Sequence, residues 1–332
     1  MKTQTVAGRT WHFTRSIGRV VGSEGFYHPT PIVSAPGGTI YVANTGGAEG
    51  RALSRQIDHM QIDGEYIRAI GGGDYTWPEG LALDADENLY LSDAYANCVL
   101  VYDRDGKQAT SWGETGSGDG QLQRPAGLAV NGEGNVLVVD GDNHRVQTFS
   151  PDGTFIAAWG TQGSDDGQLN QPWGIHVDQA GDIYVADWGN DRVQKFGPDG
   201  SFLLRFGSTF DDGGTLRRPS DVAVDSDGDV YVVDWGNNRV QIYDADGDII
   251  TGLYGDAREF SRAAVQMFDA NPDYVAAFDR VSDEDMLEMS RFERPRAIAI
   301  DEQDRIAVTD CTRCRVQVYE KDKDYVVPQF NL

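Results

Sequence analysis

Histidine and cysteine are scarce in this 332-residue chain, with five and three copies, and basic residues are outnumbered by acidic ones, 28 to 53. Each shortage excludes something. An odd, small number of cysteines does not make the disulfide framework of a secreted mini-domain. Few histidines leave few nitrogen ligands for a metal ion. A formal net charge of −25 repels polyanions at long range unless a concentrated basic patch intervenes, and the sequence shows none. Nucleic acid and anionic membrane surfaces are therefore not expected partners. No segment approaches the roughly 18 consecutive apolar residues of a membrane-spanning helix. Residues 1–22 lack the apolar stretch of a secretory signal, so the expected location is cytoplasmic.

What is present is repetition. Residues 124–149 read RPAGLAVNGEGNVLVVDGDNHRVQTF, residues 171–196 read QPWGIHVDQAGDIYVADWGNDRVQKF, and residues 218–243 read RPSDVAVDSDGDVYVVDWGNNRVQIY. Their opening prolines, Pro125, Pro172 and Pro219, are 47 residues apart. Each unit alternates apolar and polar residues in short runs separated by Gly, Asn and Asp, which reads as four strands joined by tight turns. One four-stranded sheet cannot bury both faces, so the units must stack, and a period of this length is that of a propeller blade. The period extends to Pro29, Pro78 and Pro295, and the residue fifteen places after each proline is Asn44, Asp93, Asp140, Asp187, Asp234 or Asp310. Six copies predict an all-β, six-bladed β-propeller forming a single domain over residues 1–332.

At Asp140–Gln147, Asp187–Gln194 and Asp234–Gln241 the phrase D-x-x-N-x-R-V-Q closely resembles the motif of the NHL-repeat family. The resemblance covers nearly the whole chain and implies the propeller fold. The family includes enzymes, sensors and scaffolds, so it implies no single activity.

Outside the repeat, residues 11–18 read as a fourth strand without its first three and are expected to close the blade begun at Pro295, which removes two exposed sheet edges. The segment Tyr325–Val327 also reads as strand and either competes for that place or adds beside it. An insertion of 29 residues beyond the period separates blades five and six. Over about 256–292 it carries helical periodicity and a capping pattern at Ser282–Asp285, predicting two or three short helices. A smaller insertion in blade one surrounds residues 46–51. Both insertions fall in connections that emerge on one face of a propeller, around the mouth of the axial channel, where a ligand site is expected.

Two positions per blade look into that mouth: the residues flanking the opening proline and those following the aspartate. They supply the candidate ligand-binding residues His28, Trp77, Arg124, Asp142, Trp173, Trp188, Arg218, Asp221 and Trp235. Aromatic walls with convergent polar groups suit a small organic molecule, and arginines suit a carboxylate. The candidate catalytic residues are Tyr95, Arg296, Glu79 and His176. His176 is singled out because Ala82, Ala129, Ala223 and Ala299 stand at its place in other blades; a hydrogen-bonded core histidine is the bland alternative. The chain also resembles, distantly, the peptidyl-α-hydroxyglycine amidating lyases. That resemblance implies a tyrosine in an Asp-x-Tyr motif, met by Tyr95, and zinc-binding histidines after the opening prolines, where Thr30, Glu79, Ala126, Trp173, Ser220 and Arg296 stand instead. No metal site and no cofactor are therefore predicted, with a divalent metal at the axis left open.

The functional expectation is a lyase or hydrolase acting in the axial pocket on an aromatic or carboxylate-bearing substrate. The alternative is a non-catalytic propeller that recognises a protein or peptide partner. Three further motifs are read as structural or left open. Asp225–Asp229 resembles the start of a calcium loop but is expected to be an ordinary turn. The arginines of the repeat, Arg145, Arg192, Arg239 and Arg315, are expected to pair with the repeated aspartates. Cys311 and Cys314, a lone C-x-x-C, read as a redox pair or as inert thiols.

Overall fold

A computed structural model describes residues 3–6, 9–18, 26–46, 55–207, 215–258 and 281–322, together with Ser261 and Val265. Six antiparallel sheets follow one another along the chain. Blade 3 shows how each arises: strands Pro125–Val130, Val136–Asp140, Arg145–Phe149 and Phe155–Trp159 are joined by short turns. The last of these turns needs positive φ, which Gly153 supplies at 87° while its N–H donates to the Ser150 carbonyl. The second strands of blades 1 to 5 are buried throughout on both faces, because blades stack on either side of them. Six hydrophobic clusters result, each spanning two neighbouring blades, and two of them also take in residues of the closing strand, Trp11 and Phe13 in one and Ile17 in the other.

The repeated aspartates tie each blade together. Asp140 Oδ2 accepts hydrogen bonds from Arg145 Nε at 2.9 Å, Asn143 Nδ2 at 2.8 Å and Gln147 Nε2 at 3.0 Å, while Oδ1 accepts the Gln123 N–H. Asp187, Asp234 and Asp310 bind Arg192, Arg239 and Arg315 in the same way, so the arginines of the repeat are structural. Blade 1 has Asn44 in place of the aspartate, and the missing carboxylate is returned by Asp58, which accepts from Asn44 Nδ2 at 2.9 Å.

The ring closes as expected. Arg9–Gly18 pairs antiparallel with Arg315–Asp322 and completes the sheet begun at Pro295. A further strand, Thr3–Val6, adds outside it and makes this the one five-stranded sheet among the described residues. Tyr325–Val327, the competing segment, lies outside the described residues, as does most of the blade 1 insertion. Of the predicted helices, the described residues contain α1, Asp283–Ser290, whose N-cap Ser282 accepts the Asp285 N–H as its sequence predicted. Much of the remaining insertion, 259–280, falls outside them.

Around the axis the first strands approach so closely that side chains must vanish. A Cβ on Gly80 would lie 2.4 Å from the Ala126 carbonyl oxygen, and one on Gly127 would lie 2.7 Å from that of Trp173, to which the Gly127 N–H already donates at 2.8 Å. The obstacle is backbone of the next blade, which has no rotamer to escape into. Gly127→Ala is accordingly expected to destabilise the protein by about 1–3 kcal/mol, measured by urea unfolding; an unchanged midpoint would show that the blades can separate freely at this neck.

Candidate functional site

The first strands enclose an axial cavity of 220 Å³. Its wall is mostly backbone and small apolar side chains, interrupted by five chemically distinct groups: Glu79, Trp173, His176, Asp221 and Arg296. All five were candidates from sequence. They meet because equivalent positions of different blades converge on one axis, although Glu79 and Arg296 are 217 residues apart in the chain.

At the mouth, the first residues after three opening prolines form a cluster. Arg296 Nη2 donates to Glu79 Oε2 at 2.5 Å, and Trp173 Nε1 donates to the same oxygen at 3.1 Å. The Arg296 guanidinium lies 4.1 Å from the centre of the Trp173 ring, a cation–π contact. The Glu79 side chain is 1% exposed and its other oxygen, Oε1, is buried without a hydrogen-bond partner. A buried acceptor left open is costly, which marks this carboxylate as unfinished without something beside it. Ser220 Oγ donates to the Arg296 carbonyl at 2.8 Å and fixes the backbone from which the arginine projects.

Deeper in, Asp221 replaces the glycine of other blades; Gly80, Gly127 and Gly174 hold the equivalent place. A Cβ on Gly174 would touch Asp221 Oδ1, so the carboxylate fills space that Gly174 leaves. Oδ1 accepts the Val222 N–H at 2.9 Å and Oδ2 the Ile298 N–H at 3.0 Å, the latter from blade 6. Burial outweighs these bonds and raises the carboxyl to a pKa of about 7. His176 stands further along the channel, where burial lowers its pKa to about 4. Its ring is thus neutral at physiological pH, and it makes no hydrogen bond to any described residue.

Asp221 gives a stability prediction with a definite sign. The folded state holds the proton more tightly than the unfolded state, so stability declines as pH rises between about 4 and 7 and is level above. Asp221→Asn does not ionise there. The stability difference, wild type minus variant, is expected to fall by about 2–4 kcal/mol between roughly pH 4 and pH 8, read from urea unfolding at each pH. A pH-independent difference would mean that Asp221 titrates normally.

The remaining candidates form a rim around the cavity mouth and do not line its wall. Arg124 lies between Trp77 and Trp173, 5.7 Å from each ring centre, with Asp142 at 3.9 Å. Arg218 stacks on Trp188 at 4.7 Å, and Arg294 on Trp235 at 5.4 Å. Trp188 is edge-on to Trp173 at 5.8 Å, which links rim and wall. His28 has φ 51°, and its carbonyl accepts from Thr45. Tyr95 is 71% exposed, held by its backbone N–H to Asp93, and stands outside the wall that gathers Glu79 and Arg296. Among the described residues no group of three or more histidine, cysteine, aspartate or glutamate side chains could hold a metal ion.

Cys311, which follows Asp310 at the place of Trp188 and Trp235, is one of the positions expected to look into the mouth. The charges of Arg296 and Glu79 act on its thiol.

The NHL repeat model matches residues 122–149, 169–196, 216–243 and 292–319. No curated protein sequence matches the chain. Among solved structures, the chain is similar to a streptogramin B lyase, with 10% identity and a TM-score of 0.59 over 94% of this chain and 98% of that one. It is also similar to a gluconolactonase from Xanthomonas campestris, with 16% identity and a TM-score of 0.59 over 94% and 90%. A protein of unknown function from Bacteroides thetaiotaomicron gives 16% identity and a TM-score of 0.65 over 95% and 76%. Likeness at these identities is likeness of fold.

Proposed function

We propose that this six-bladed propeller, which carries four matched NHL repeats, is a lyase or hydrolase acting on a small aromatic or carboxylate-bearing molecule in the axial cavity. The observation that carries the reading is the cavity itself, with a buried Glu79–Arg296 pair at its mouth and a carboxyl of pKa about 7 on its wall. In this reading Arg296 binds a carboxylate or the negative charge that develops on an oxygen during bond cleavage. Glu79 and the Trp173 face hold the guanidinium in one orientation, which avoids ordering it during reaction. Asp221 exchanges a proton near neutral pH, as a general acid or base should. His176, uncharged, supplies a hydrogen-bond donor or acceptor further in. The lyase and gluconolactonase named among similar folds are in keeping with such chemistry and add no residue-level support.

A second reading, recognition of a protein or peptide, draws on one feature: the rim leaves Tyr95 and Trp77 largely exposed, at 71% and 45%. A thermal-shift screen against a metabolite library separates the two. Compounds that stabilise the wild type and not Glu79→Gln place binding in the cavity. A protein that responds to no small molecule but captures peptides through Tyr95 and Trp77 would replace the enzyme reading with the second.

A further inference from the structure

The turns that follow the second strands of blades 2 to 5 share a device that blade 6 abandons. Asn97, His144, Asp191 and Asn238 end these turns in the left-handed region, with φ between 53° and 55°. Each side chain accepts the N–H of the residue before the next opening proline: Arg124 at 2.7 Å, Gln171 at 3.0 Å, Arg218 at 2.7 Å and Arg294 at 2.8 Å. The polar side chain therefore latches one blade to the next. At this position blade 6 has Cys314, also left-handed at 52°. A thiol is a weak acceptor, and among the described residues Cys314 Sγ reaches only the Thr312 carbonyl of its own turn, at 4.0 Å.

The first residue of the same turn is Cys311, and the Cys314 N–H donates to its carbonyl at 3.2 Å. A turn closed in this way holds its first and fourth Cα atoms within about 7 Å, the range that a disulfide spans. The turn is also wired to its surroundings. Arg313 Nη2 donates to the Glu288 carbonyl of α1 at 3.2 Å, and Cys311 directly follows Asp310, the strand partner of the Pro295 that precedes Arg296, so that the charges of Arg296 and Glu79 act on its thiol. Cys98, the third cysteine, is in blade 2 and belongs to no such turn.

We propose that Cys311 and Cys314 are a reversible dithiol–disulfide site whose state is felt at the Glu79–Arg296 pair. With glutathione disulfide as oxidant, the Cys314 thiolate attacks one of its sulfurs and expels a glutathione thiolate. The Cys311 thiolate then attacks Cys314 Sγ and expels the second. The two protons lost by the cysteines end on the two glutathione thiols, so one disulfide is reduced as the other forms. Cys314, in the more open position, is the attacking thiol. Burial pushes the Cys311 thiol up to about 11, which makes it the poorer first nucleophile; its attack is the slower second step, made intramolecular by the mixed disulfide held in the same turn.

The test incubates the full-length protein with glutathione disulfide and maps the products by mass spectrometry after alkylation. The expected result is loss of two of the three alkylatable thiols, a segment spanning Cys311–Cys314 lighter by two hydrogens, and return of both thiols on reduction. Tryptophan fluorescence, with Trp173 stacked on Arg296, should shift on oxidation and recover on reduction. Cys314→Ser should show neither change, whereas Cys98→Ser should show both. Three thiols that alkylate as before, or that carry separate glutathione adducts, would overturn the site. A disulfide that leaves the fluorescence unmoved would overturn its link to the Glu79–Arg296 pair.

Discussion

Lys321→Met is expected to cost about 3–5 kcal/mol of stability. The acidic turn Asp225-Ser226-Asp227-Gly228-Asp229 is indeed a turn, and its three carboxylates converge on one ammonium. Lys321 Nζ lies 2.7 Å from Asp225 Oδ2 and 2.8 Å from both Asp227 Oδ2 and Asp229 Oδ2. The lysine is 2% exposed, and Asp225 and Asp229 are essentially buried. Arg9 Nε adds a further contact to Asp229 at 2.9 Å, and the Tyr231 hydroxyl donates to Asp225 at 2.8 Å. Ser226 in turn donates to Asp304. The partners come from blade 5, blade 6 and the N-terminal closing strand, so this cluster sits at the seam where the ring is sealed.

Removing the ammonium leaves two buried carboxylates with Arg9 as their one remaining cation; Asp225 keeps the Tyr231 hydroxyl and the backbone N–H groups of Asp227 and Asp229. Breaking one side of a buried ion pair is costly because the charge left behind has lost its hydration and gained nothing in return. The penalty should shrink as pH falls, since protonating the carboxylates removes the charge that lacks a partner. Urea unfolding of Lys321→Met at neutral and acidic pH checks both points. A neutral-pH loss below about 1 kcal/mol, the range of exposed ion pairs, would mean that the seam does not depend on this contact.

Arg296→Ala is expected to lower kcat/KM for the substrate about 10²–10³-fold, the usual consequence of removing a pre-organised charge stabiliser. The single variant also strands Glu79 in a buried place, so it loses stability as well as activity. Glu79→Gln combined with Arg296→Ala removes that stranded charge. The double variant should regain stability and remain inactive, which separates the role of Arg296 in binding from its role in the fold. A double variant that regains both would assign the pair to structure alone.

Much of this was legible because a repeat compares a chain with itself. Six opening prolines predicted six blades, and the out-of-place strand at residues 11–18 predicted how the ring closes. Glu79, Trp173 and Arg296 could be put in one cluster from sequence because equivalent positions of a closed ring face one axis. Asp221 and His176 were legible as departures from Gly and Ala. Tyr95 was less so: a motif fixes its backbone, whereas the direction of its side chain beyond the turn depends on the neighbouring rim. The ammonium in the acidic turn was hidden for another reason. Lys321 lies 92–96 residues from its partners and belongs to no repeated position. The thiol pair was visible, but the latch that Cys314 gives up emerges only when hydrogen bonds of equivalent turns are compared.

The central claim is that the axial cavity holds a small molecule against Arg296. A crystal structure of the protein with a compound from the thermal-shift screen tests it most directly. The compound is expected inside the ring, with an oxygen on the Arg296 guanidinium and its body along the wall formed by Asp221 and His176. The same compound bound on the rim over Tyr95 and Trp77, with the cavity unchanged, would contradict it.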